Sequence, residues 1–314
     1  MPTVTQLEYV LAVQRTGHFG RAAEECGVAQ PTLSAQIQKV EQELGVTLFD
    51  RAKKPVIATA HGNQLMGHAR DVVAAHERLL WAAREEGCAL SGEFRLGIIP
   101  TLAPYVVPWF LKRFSEDHPR LALKLHEQPT DELIDELLNQ KLDAAILATP
   151  LGVAGLHEEA IFYDPFYLYA HPEEPVLDDH ELAPGNLEAE KIWLLEDGHC
   201  VRTQVTSFCS LPGTSLHLKN VQFAAGSFET LRNLIDATGG YSLFPETYVR
   251  QLPKSVRRDQ VRSFSPTPTR EVSLAYLKSS WKTQAFDALA KSLRTSLPRS
   301  LRQNAADGEL LPVR

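Results

Sequence analysis

From residue 91 onward, segments typical of strands alternate with segments that have the apolar spacing of helices. The first unit reads SGEFRLGIIP, a helix at about Pro104–Glu116, the strand LALKLHE, a helix around Glu132–Asn139 and the strand DAAILA. Strands that alternate with helices are typical of a parallel α/β layer, because a helix carries the chain back across the sheet. This alternation limits the larger part of the chain to the α/β class.

A second unit of the same kind begins beyond Pro172. KIWLLE and YSLFP are predicted strands, and helices are predicted from about Cys200 and over FETLRNLIDATGG. REVSLAYLK and a helix around Thr283–Leu297 then return to the first unit. We therefore predict two α/β lobes joined by two crossing segments, as in periplasmic-binding-protein-like effector domains. Lobe I takes about residues 89–164 and 268–300, lobe II takes about 165–267, and the aperiodic residues 298–314 are predicted to form a loose tail.

Length, charge and cysteine content limit the class of protein. The 314 residues can form two or three compact units, and they hold no run of the roughly 18 apolar residues that a membrane span needs. No signal peptide is expected, and four cysteines are too few for a disulfide scaffold. We therefore expect a cytoplasmic protein with no membrane contact. The net charge of −7 neither supports nor excludes DNA binding, because residues 1–60 carry six basic and six acidic side chains.

The segment AQPTLSAQIQKVEQELG predicts one helix with two different faces. Proline is tolerated in the first turn of a helix and glycine commonly ends one, so the helix is predicted from Pro31 to Gly45. The buried stripe is expected at Leu33, Ile37, Val40 and Leu44. The other face carries uncharged hydrogen-bonding groups and one base, which suit base edges and phosphates in a major groove. Its side chains are Thr32, Ser34, Gln36, Gln38 and Lys39.

Two further segments extend this N-terminal unit. VTLFDRAKKPVIATAHG predicts a small two-stranded wing whose tip carries Arg51, Lys53 and Lys54, placed to meet backbone phosphates. A long helix follows over residues 61–88, with a narrow seam at alternating steps of four and three. The seam favours a linker helix that pairs two subunits over a helix that packs on its own domain. Its residues are Leu65, Ala69, Val72, His76, Leu79 and Ala83.

The stretch FGRAAEECGVAQPTLSAQIQKVEQELGVTLFDR resembles the winged helix-turn-helix of LysR-type transcription regulators. The resemblance implies an all-α, winged DNA-binding domain over residues 1–60 and a double-stranded DNA operator as partner. The chain departs from the family at Ala29, where many relatives carry a serine that can cap the helix. The alternative is a helical subdomain for protein contacts. The implied DNA-binding residues are Gln30, Pro31, Thr32, Ser34, Gln36, Lys39, Arg51, Lys53 and Lys54.

The two-lobed region resembles the effector region of the same family, which implies a ligand-responsive switch rather than an enzyme. No GxGxxG, Walker A, HExxH or Gly-x-Ser-x-Gly pattern is present, so nucleotide, zinc-protease and serine-hydrolase functions lose their usual support. The family further implies a homotetramer built from linker-helix dimers and effector-domain contacts, and a contact with RNA polymerase.

The segment LLEDGHCVRTQVTSFC places Cys200 and Cys209 nine positions apart. If a helix begins at Cys200, its N-terminus, His199 and Arg202 all favour the thiolate. Nine helical residues rise ~13.5 Å and leave the two thiols on opposite faces, whereas a disulfide needs Cα atoms roughly 4.4–6.8 Å apart. The two thiols can therefore meet only if the segment unwinds. Three interpretations remain: two unreactive thiols, a metal site that adds His199 and His217, or a peroxide-reactive pair.

Four segments resemble the OxyR-type hydrogen-peroxide sensors of the LysR family: LLEDGHCVRTQVTSFC, GIIPTLAPYVVP, LKLHEQPTDEL and SFETLRN. The resemblance implies that Cys200 attacks hydrogen peroxide and that Cys209 resolves the product in a disulfide. No metal and no cofactor are expected, since a metal site would lack a close C-x2–4-C pair. The implied peroxide-binding residues are Thr101, Thr130, His199 and, as a looser match, Arg270.

Two alternatives remain open beside the peroxide sensor. The first is a LysR-type regulator that answers a small organic effector and has redox-silent cysteines. The second is a thiol peroxidase, which the DNA-binding segment disfavours. DATGGYSLFP also departs from the Gly-x-Gly-x-x-x-x-Pro turn that is common in relatives. The remaining thiols, Cys26 and Cys88, have no charged partner nearby and are expected to behave as small hydrophobic residues.

Overall fold

The computed structural model describes residues 1–84, 90–179, 181–183, 185, 187–210, 225–302 and 309–313. The chain divides into two compact units, Met1–Ala89 and Leu90–Arg314. Two residues considered above, Cys88 and His217, lie outside the described residues. Over the ranges just given, no helix combines the length and apolar character that crossing a membrane requires.

The first unit is helical with a small wing. Its elements are α1 (Val4–Thr16), α2 (Phe19–Glu25), α3 (Gln30–Leu44), β1 (Phe49–Asp50), β2 (Ile57–Ala58) and α4 (Ala60–Arg84). A reciprocal capping pair of Thr3 and Gln6 starts α1. Helix α3 carries proline in its first turn and ends at Gly45, whose φ of 69° is left-handed. Ala29 precedes α3 without a side-chain cap, as its departure from the family pattern indicated.

The core of this unit is built on α3. Leu33, Ile37 and Val40 are fully buried and pack with residues of α1, α2, the wing and α4. The fourth residue of the predicted stripe, Leu44, is 41% exposed. That part of the prediction is wrong, because Leu44 is the last helical residue and the helix extends beyond the core there.

The seam on α4 has two halves. Near its start, Leu65 packs on the core of the unit and Ala69 is buried. Further along, Val72 and Leu79 are 47% and 67% exposed in the single chain. The first half therefore packs on its own domain, and the second presents large apolar side chains to solvent.

The second unit is a mixed α/β domain. Its first elements are β3 (Gly92–Ile98), α5 (Ala103–Asp117), β4 (Leu121–Glu127), α6 (Thr130–Leu138), β5 (Ala144–Thr149) and β6 (Leu156–Ala170). The following elements are β7 (Glu181–Leu182), α7 (Cys200–Phe208), α8 (Phe228–Thr238), β8 (Tyr241–Pro245), α9 (Glu246–Val249), α10 (Lys254–Gln260) and β9 (Val261–Phe264). The chain then forms β10 (Pro268–Leu277), α11 (Thr283–Ser296), α12 (Arg299–Arg302) and β11 (Glu309–Leu310).

The strands of the described residues connect in the order β4-β3-β5-β10-β6-β9-β7, with β11 beside β10 and β8 beside β6. Strands β4, β3 and β5 are mutually parallel, as the alternating pattern predicted. Strand β10 is antiparallel to both β5 and β6. Residues 156–165 of β6 pair with β10, and residues 166–170 pair with β8. The long strand β6 thus connects the two lobes.

KIWLLE does not form the strand that its apolar run predicted. Only two isolated bridges occur there, Ile192 with Tyr241 and Leu195 with Ala225. The apolar run is explained by burial, since residues 192–195 are all in the core. Side chains replace part of the missing ladder: the Ser242 hydroxyl donates to the carbonyl of Trp193 at 2.7 Å.

The end of the chain is ordered where it is described, so the predicted loose tail is wrong for these residues. Strand β11 pairs in parallel with β10, and the Leu311 N–H donates to the Thr269 carbonyl at 2.9 Å. Leu301, Leu311 and Val313 are buried. These elements are too short to have a recognisable period, because α12 has four residues and β11 has two.

Replacing Leu311 with alanine is expected to lower the free energy of unfolding by about 2–3 kcal/mol, because a buried leucine leaves a cavity. The neighbouring Leu310 is 47% exposed whereas Leu311 is 2% exposed, so Leu310→Ala is the matched control. We expect the thermal midpoint to fall by about 5 °C for Leu311→Ala, with little change for Leu310→Ala. Equal midpoints for the two variants would contradict the assigned role of the tail.

Candidate functional site

Cys200 is the first residue of α7 and is buried, with 6% of its surface exposed. The chain turns into the helix through Gly198, whose φ of 95° lies in the left-handed region that favours glycine. Cys209 directly follows the last helical residue, and its N–H donates to the Val205 carbonyl at 3.0 Å. Both thiols are free. The helix predicted from about Cys200 is present and separates them.

Two threonines from lobe I approach the Cys200 sulfur. Thr101 follows β3, and Thr130 is the first residue of α6; both are buried. Both threonine hydroxyls and the backbone N–H of Val201 act as hydrogen-bond donors that lower the pKa of the Cys200 thiol, which is the effect that stabilises a thiolate. The structure therefore brings together three predicted site residues from three separate elements.

Arg270 lies behind Thr101 and is completely buried. Its Nη1 donates to Thr101 Oγ1 at 3.3 Å, and its Nη2 donates to the Thr101 carbonyl at 3.4 Å. The guanidinium carbon is 5.5 Å from the centre of the Phe166 ring. The guanidinium also pairs with Asp164 at 2.8 Å, where both side chains are 0% exposed. Arg270 is thus a fixed positive charge close to the thiol.

Burial raises the pKa of the Cys200 thiol, while the charge of Arg270 and the three hydrogen bonds lower it; the net direction is upward. His199 and Arg202, which the sequence suggested as the groups that favour the thiolate, are not among the main influences on this pKa. Arg202 turns back to the loop before α7, where its Nη1 donates to the Leu195 carbonyl and its Nε lies 2.8 Å from an Asp197 carboxylate oxygen. The stabilising charge belongs to Arg270 on the distant strand β10. A buried thiol is affected mainly by charges that are buried near it, because water screens the exposed ones.

His199 precedes α7 without capping it and is mostly buried. Its Nε2 lies 3.6 Å from Glu196 Oε1. Among the contacts of the described residues, this is the one that His199 makes through its ring. The described residues contain no group of three His, Cys, Asp or Glu side chains that could hold a metal ion.

The candidate DNA-binding residues lie on α3 and the wing. Gln30, Pro31, Thr32, Lys39, Lys53 and Lys54 are exposed, and Ser34 and Gln36 are half-buried. Arg51 is not a free wing-tip side chain. Its Nη1 donates to Ser34 Oγ at 3.1 Å, its Nη2 pairs with Glu41 at 3.0 Å, and it lies 4.9 Å from the centre of the Phe19 ring. Arg51 therefore joins the wing to α3.

Residues 4–63 match the family described as bacterial regulatory helix-turn-helix protein, lysR family, and residues 89–298 match the LysR substrate binding domain. The chain belongs to the LysR family. The matched ranges agree with the α/β fold class and with the winged, helical N-terminal domain, which are thereby confirmed.

Full-length relatives place the chain in the OxyR group of that family. It is 37% identical over 294 residues to a hydrogen peroxide-inducible genes activator of Dickeya chrysanthemi, covering 93% of this chain and 94% of the relative. It is 35% identical over 297 residues to the DNA-binding transcriptional dual regulator OxyR of Escherichia coli strain K12, covering 94% and 95%. These relatives are transcription regulators, which confirms a regulator rather than a thiol peroxidase.

Solved structures agree with this assignment. The full-length OxyR mutant from Pseudomonas aeruginosa has a TM-score of 0.77 and 31% identity, and covers 94% of this chain and 98% of that one. A hydrogen-peroxide-bound OxyR mutant from Corynebacterium glutamicum has a TM-score of 0.59 and 29% identity, and covers 94% of both chains. The resemblance predicted from the sequence is confirmed at the level of the OxyR-type LysR family.

Sequence reasoning missed three polar residues of this OxyR-type site. Gln204 lies one helical turn after Cys200 and is 0% exposed, and neither its Nε2 nor its Oε1 has a hydrogen-bond partner among the described residues. The four-residue step from Cys200 was a usable signal for it. Asp164 and Thr247 are buried against Arg270 and come from remote parts of the chain, so no local pattern indicated them.

Cys209 has a different environment from Cys200. It is half-buried, and burial raises its pKa from 9.0 to about 12. A higher pKa leaves less thiolate at any pH below it, so the sulfur is a weak nucleophile while α7 is intact.

At pH 8 we therefore expect iodoacetamide to modify Cys209 roughly 10³-fold more slowly in the folded, reduced protein than in urea. Peptide mass spectrometry after timed quenching measures both rates in one protein. Similar rates in the two conditions would show that α7 does not protect this thiol.

Proposed function

We propose that this OxyR-type protein is a cytoplasmic transcription regulator that senses hydrogen peroxide through oxidation of Cys200 and a disulfide with Cys209. The observation that carries the proposal is the arrangement around Cys200: a buried thiol whose pKa two buried threonine hydroxyls lower, and a buried guanidinium that donates a hydrogen bond to one of them. The name of the Dickeya chrysanthemi relative, hydrogen peroxide-inducible genes activator, supports it.

The first step is attack by the Cys200 thiolate on one peroxide oxygen. An S–O bond forms as the O–O bond breaks, and the leaving oxygen takes up a proton and departs as water. Charge builds on that oxygen, so hydrogen-bond donors aimed at it lower the barrier. Once the sulfur has begun to bond to oxygen, the hydroxyls of Thr101 and Thr130, which act on the thiolate before the reaction, can turn to donate to the leaving oxygen. The unpaired amide of Gln204 supplies both a donor and an acceptor in the same buried region.

The second step joins the two sulfurs. The Cys209 thiolate attacks the sulfenic sulfur of Cys200, the S–S bond forms, the S–O bond breaks and a second water leaves. One peroxide is thereby reduced to two waters at the expense of two thiols. The step requires that α7 unwinds, since nine helical residues hold the ends ~13.5 Å apart.

Unwinding α7 provides a physical link from oxidation to shape. The helix buries Val201, Val205 and Phe208, and the Phe208 ring lies 5.2 Å from that of Phe264 in edge-to-face contact. These contacts must break or rearrange before the disulfide closes. Oxidation therefore changes the packing of lobe II and not only one side chain.

The DNA-binding part of the proposal rests on α3 and the exposed wing lysines. Thr32 and Lys39 on α3 face solvent together with Lys53 and Lys54, a set that suits base edges and phosphates of a double-stranded operator. The exposed half of α4 is suited to pair with a second copy. Because it resembles the family, we also propose that the protein forms a homotetramer and contacts RNA polymerase.

An organic effector in the cleft between the lobes is the weaker alternative. The Tyr105 ring of α5 lies 5.8 Å from that of Tyr248 and 6.5 Å from that of Phe228. The Tyr105 hydroxyl also donates to Glu229 Oε1 at 3.0 Å. The protein's own side chains make these contacts with one another, which argues against an organic ligand between them.

Stoichiometric oxidation of the full-length protein tests the proposed function. The reduced protein receives one equivalent of hydrogen peroxide, and peptide mass spectrometry looks for a Cys200–Cys209 linkage. In parallel, DNase footprints of both redox forms are taken on duplexes selected from a random pool by the reduced protein. We expect the linkage and a changed footprint. Absence of the Cys200–Cys209 linkage, or identical footprints of the reduced and oxidised protein, would contradict the disulfide switch.

A further inference from the structure

Arg270 is held by a residue that has no direct part in the peroxide chemistry, Asp164. The two are direct partners in the antiparallel pairing of β10 with β6. Arg270 Nε and Nη2 both donate to Asp164 Oδ2, at 3.1 and 2.8 Å, and both side chains are 0% exposed. Burying two charges has a large desolvation cost, so such a pair is weak evidence of a purely stabilising role. Its position next to Thr101 suggests a role in the site.

Thr247, in α9, completes the support of this pair. Its backbone N–H donates to Asp164 Oδ1 at 3.0 Å, and its hydroxyl donates to Oδ2 at 2.9 Å. Because the hydroxyl hydrogen is used on Asp164, Thr247 Oγ1 is left as an acceptor for Arg270 Nη2 at 3.4 Å. Three bonds, two to Asp164 and one to Thr247, thus fix the plane of the guanidinium.

The fixed guanidinium determines the direction of the next hydrogen bond. Arginine has donors and no acceptor, so in the 3.3 Å contact between Nη1 and Thr101 Oγ1 the threonine oxygen must accept. The single hydroxyl hydrogen of Thr101 is then free to point toward the buried Cys200 sulfur, whose pKa the Thr101 hydroxyl lowers as a donor does. A threonine not held in this way could instead accept from a thiol, which would favour the unreactive form.

We propose that Asp164 and Thr247 are positioning residues of the thiol switch, which hold Arg270 so that Thr101 can only donate toward Cys200. The inference deepens the proposed peroxide sensing and rests on it. The charged and titratable groups around the thiol are Arg270 from β10, Asp164 from β6 behind it, and His199 with Glu196 from the loop before α7.

The test variant is Thr247→Val, made in a Cys209→Ser background so that Cys200 oxidation stops at the sulfenic acid. Valine keeps the shape of threonine and removes only the hydroxyl. We expect the second-order rate constant with hydrogen peroxide to fall about tenfold, the size of one buried hydrogen bond. We also expect the midpoint of the pH profile for Cys200 alkylation to move up by about one unit, because the thiolate loses an aligned donor.

Two controls separate positioning from general damage. Thr247→Ser keeps the hydroxyl and is expected to stay within about twofold of the parent in both measurements. The Cys26 peptide, followed in the same samples, should be alkylated at an unchanged rate, since it lies in the other unit. Should Thr247→Val not fold, as judged by thermal unfolding, Thr247→Ala carries the same expectation.

The outcomes distinguish this inference from the proposed function. If the parent fails to react with peroxide but Thr247→Val still shifts the alkylation profile, peroxide sensing is wrong and the positioning role stands. If the parent reacts and Thr247→Val matches it in both rate and pH profile, the positioning role is overturned. Failure of Thr247→Ser to restore the parent values would overturn it as well.

Discussion

Replacing Cys200 with serine is expected to abolish the response to hydrogen peroxide completely while leaving the reduced fold and its DNA footprint intact. Serine fits the same buried position at the start of α7, and its hydroxyl can still meet Thr101 and Thr130. An alcohol, however, has no accessible thiolate equivalent at neutral pH and cannot form a sulfenic acid. Without the sulfenic acid, Cys209 has no oxidised sulfur to attack, so no disulfide forms and α7 stays helical.

Cys209→Ser is the matched control for this experiment. It should consume peroxide at Cys200 and accumulate the sulfenic acid, which a dimedone adduct detects, but it should form no disulfide and keep the footprint of the reduced protein. A changed footprint in Cys200→Ser after peroxide would assign sensing to another group. A changed footprint in Cys209→Ser would mean that oxidation of Cys200 alone moves the lobe.

Replacing Asp164 with asparagine is expected to lower the free energy of unfolding of the second unit by about 3–5 kcal/mol. Both carboxylate oxygens accept hydrogen bonds: Oδ1 from the Thr247 N–H, and Oδ2 from Arg270 and from the Thr247 hydroxyl. An amide has only one oxygen, so its NH₂ must face a donor in either orientation. Arg270 would also stay buried without its counter-charge.

Differential scanning calorimetry measures this effect, with an expected fall in the midpoint of about 10 °C for a unit of this size. Glu159→Gln is the matched control on the same strand, because Glu159 pairs with Arg294 at 2.8 Å in a partly exposed ion pair. Such pairs contribute roughly 0–1 kcal/mol, so its midpoint should move little. Comparable shifts of the thermal midpoint in the two variants would contradict the larger contribution to stability that we assign to the buried Asp164–Arg270 pair.

The sequence predicted the DNA-binding helix closely, because the relevant information is local. The apolar steps through Leu33, Ile37 and Val40 repeat with the helical period, and Pro31 and Gly45 mark the two ends. Leu44 continues the period but does not join the core. Periodicity specifies which face of a helix is apolar, and it does not specify how far the elements packed against that face extend. The prediction of a loose tail was wrong because structure is present there without a pattern in the sequence. Strand β11 is held by pairing with β10, and a two-residue strand has no period to recognise.

The nine-residue spacing of Cys200 and Cys209 alone determined that a helix between the two thiols must unwind before they can bond, because helical rise per residue is a fixed quantity. The charge beside the thiol was decided only by the tertiary structure. The nearby Arg202 turns away to Asp197, whereas Arg270, Thr101 and Thr130 arrive from at least 70 positions away along the chain. Strand pairing brings Arg270 opposite Asp164 and next to Thr101. Such contacts depend on sheet register and burial, which act between distant segments and leave no periodic trace in either one.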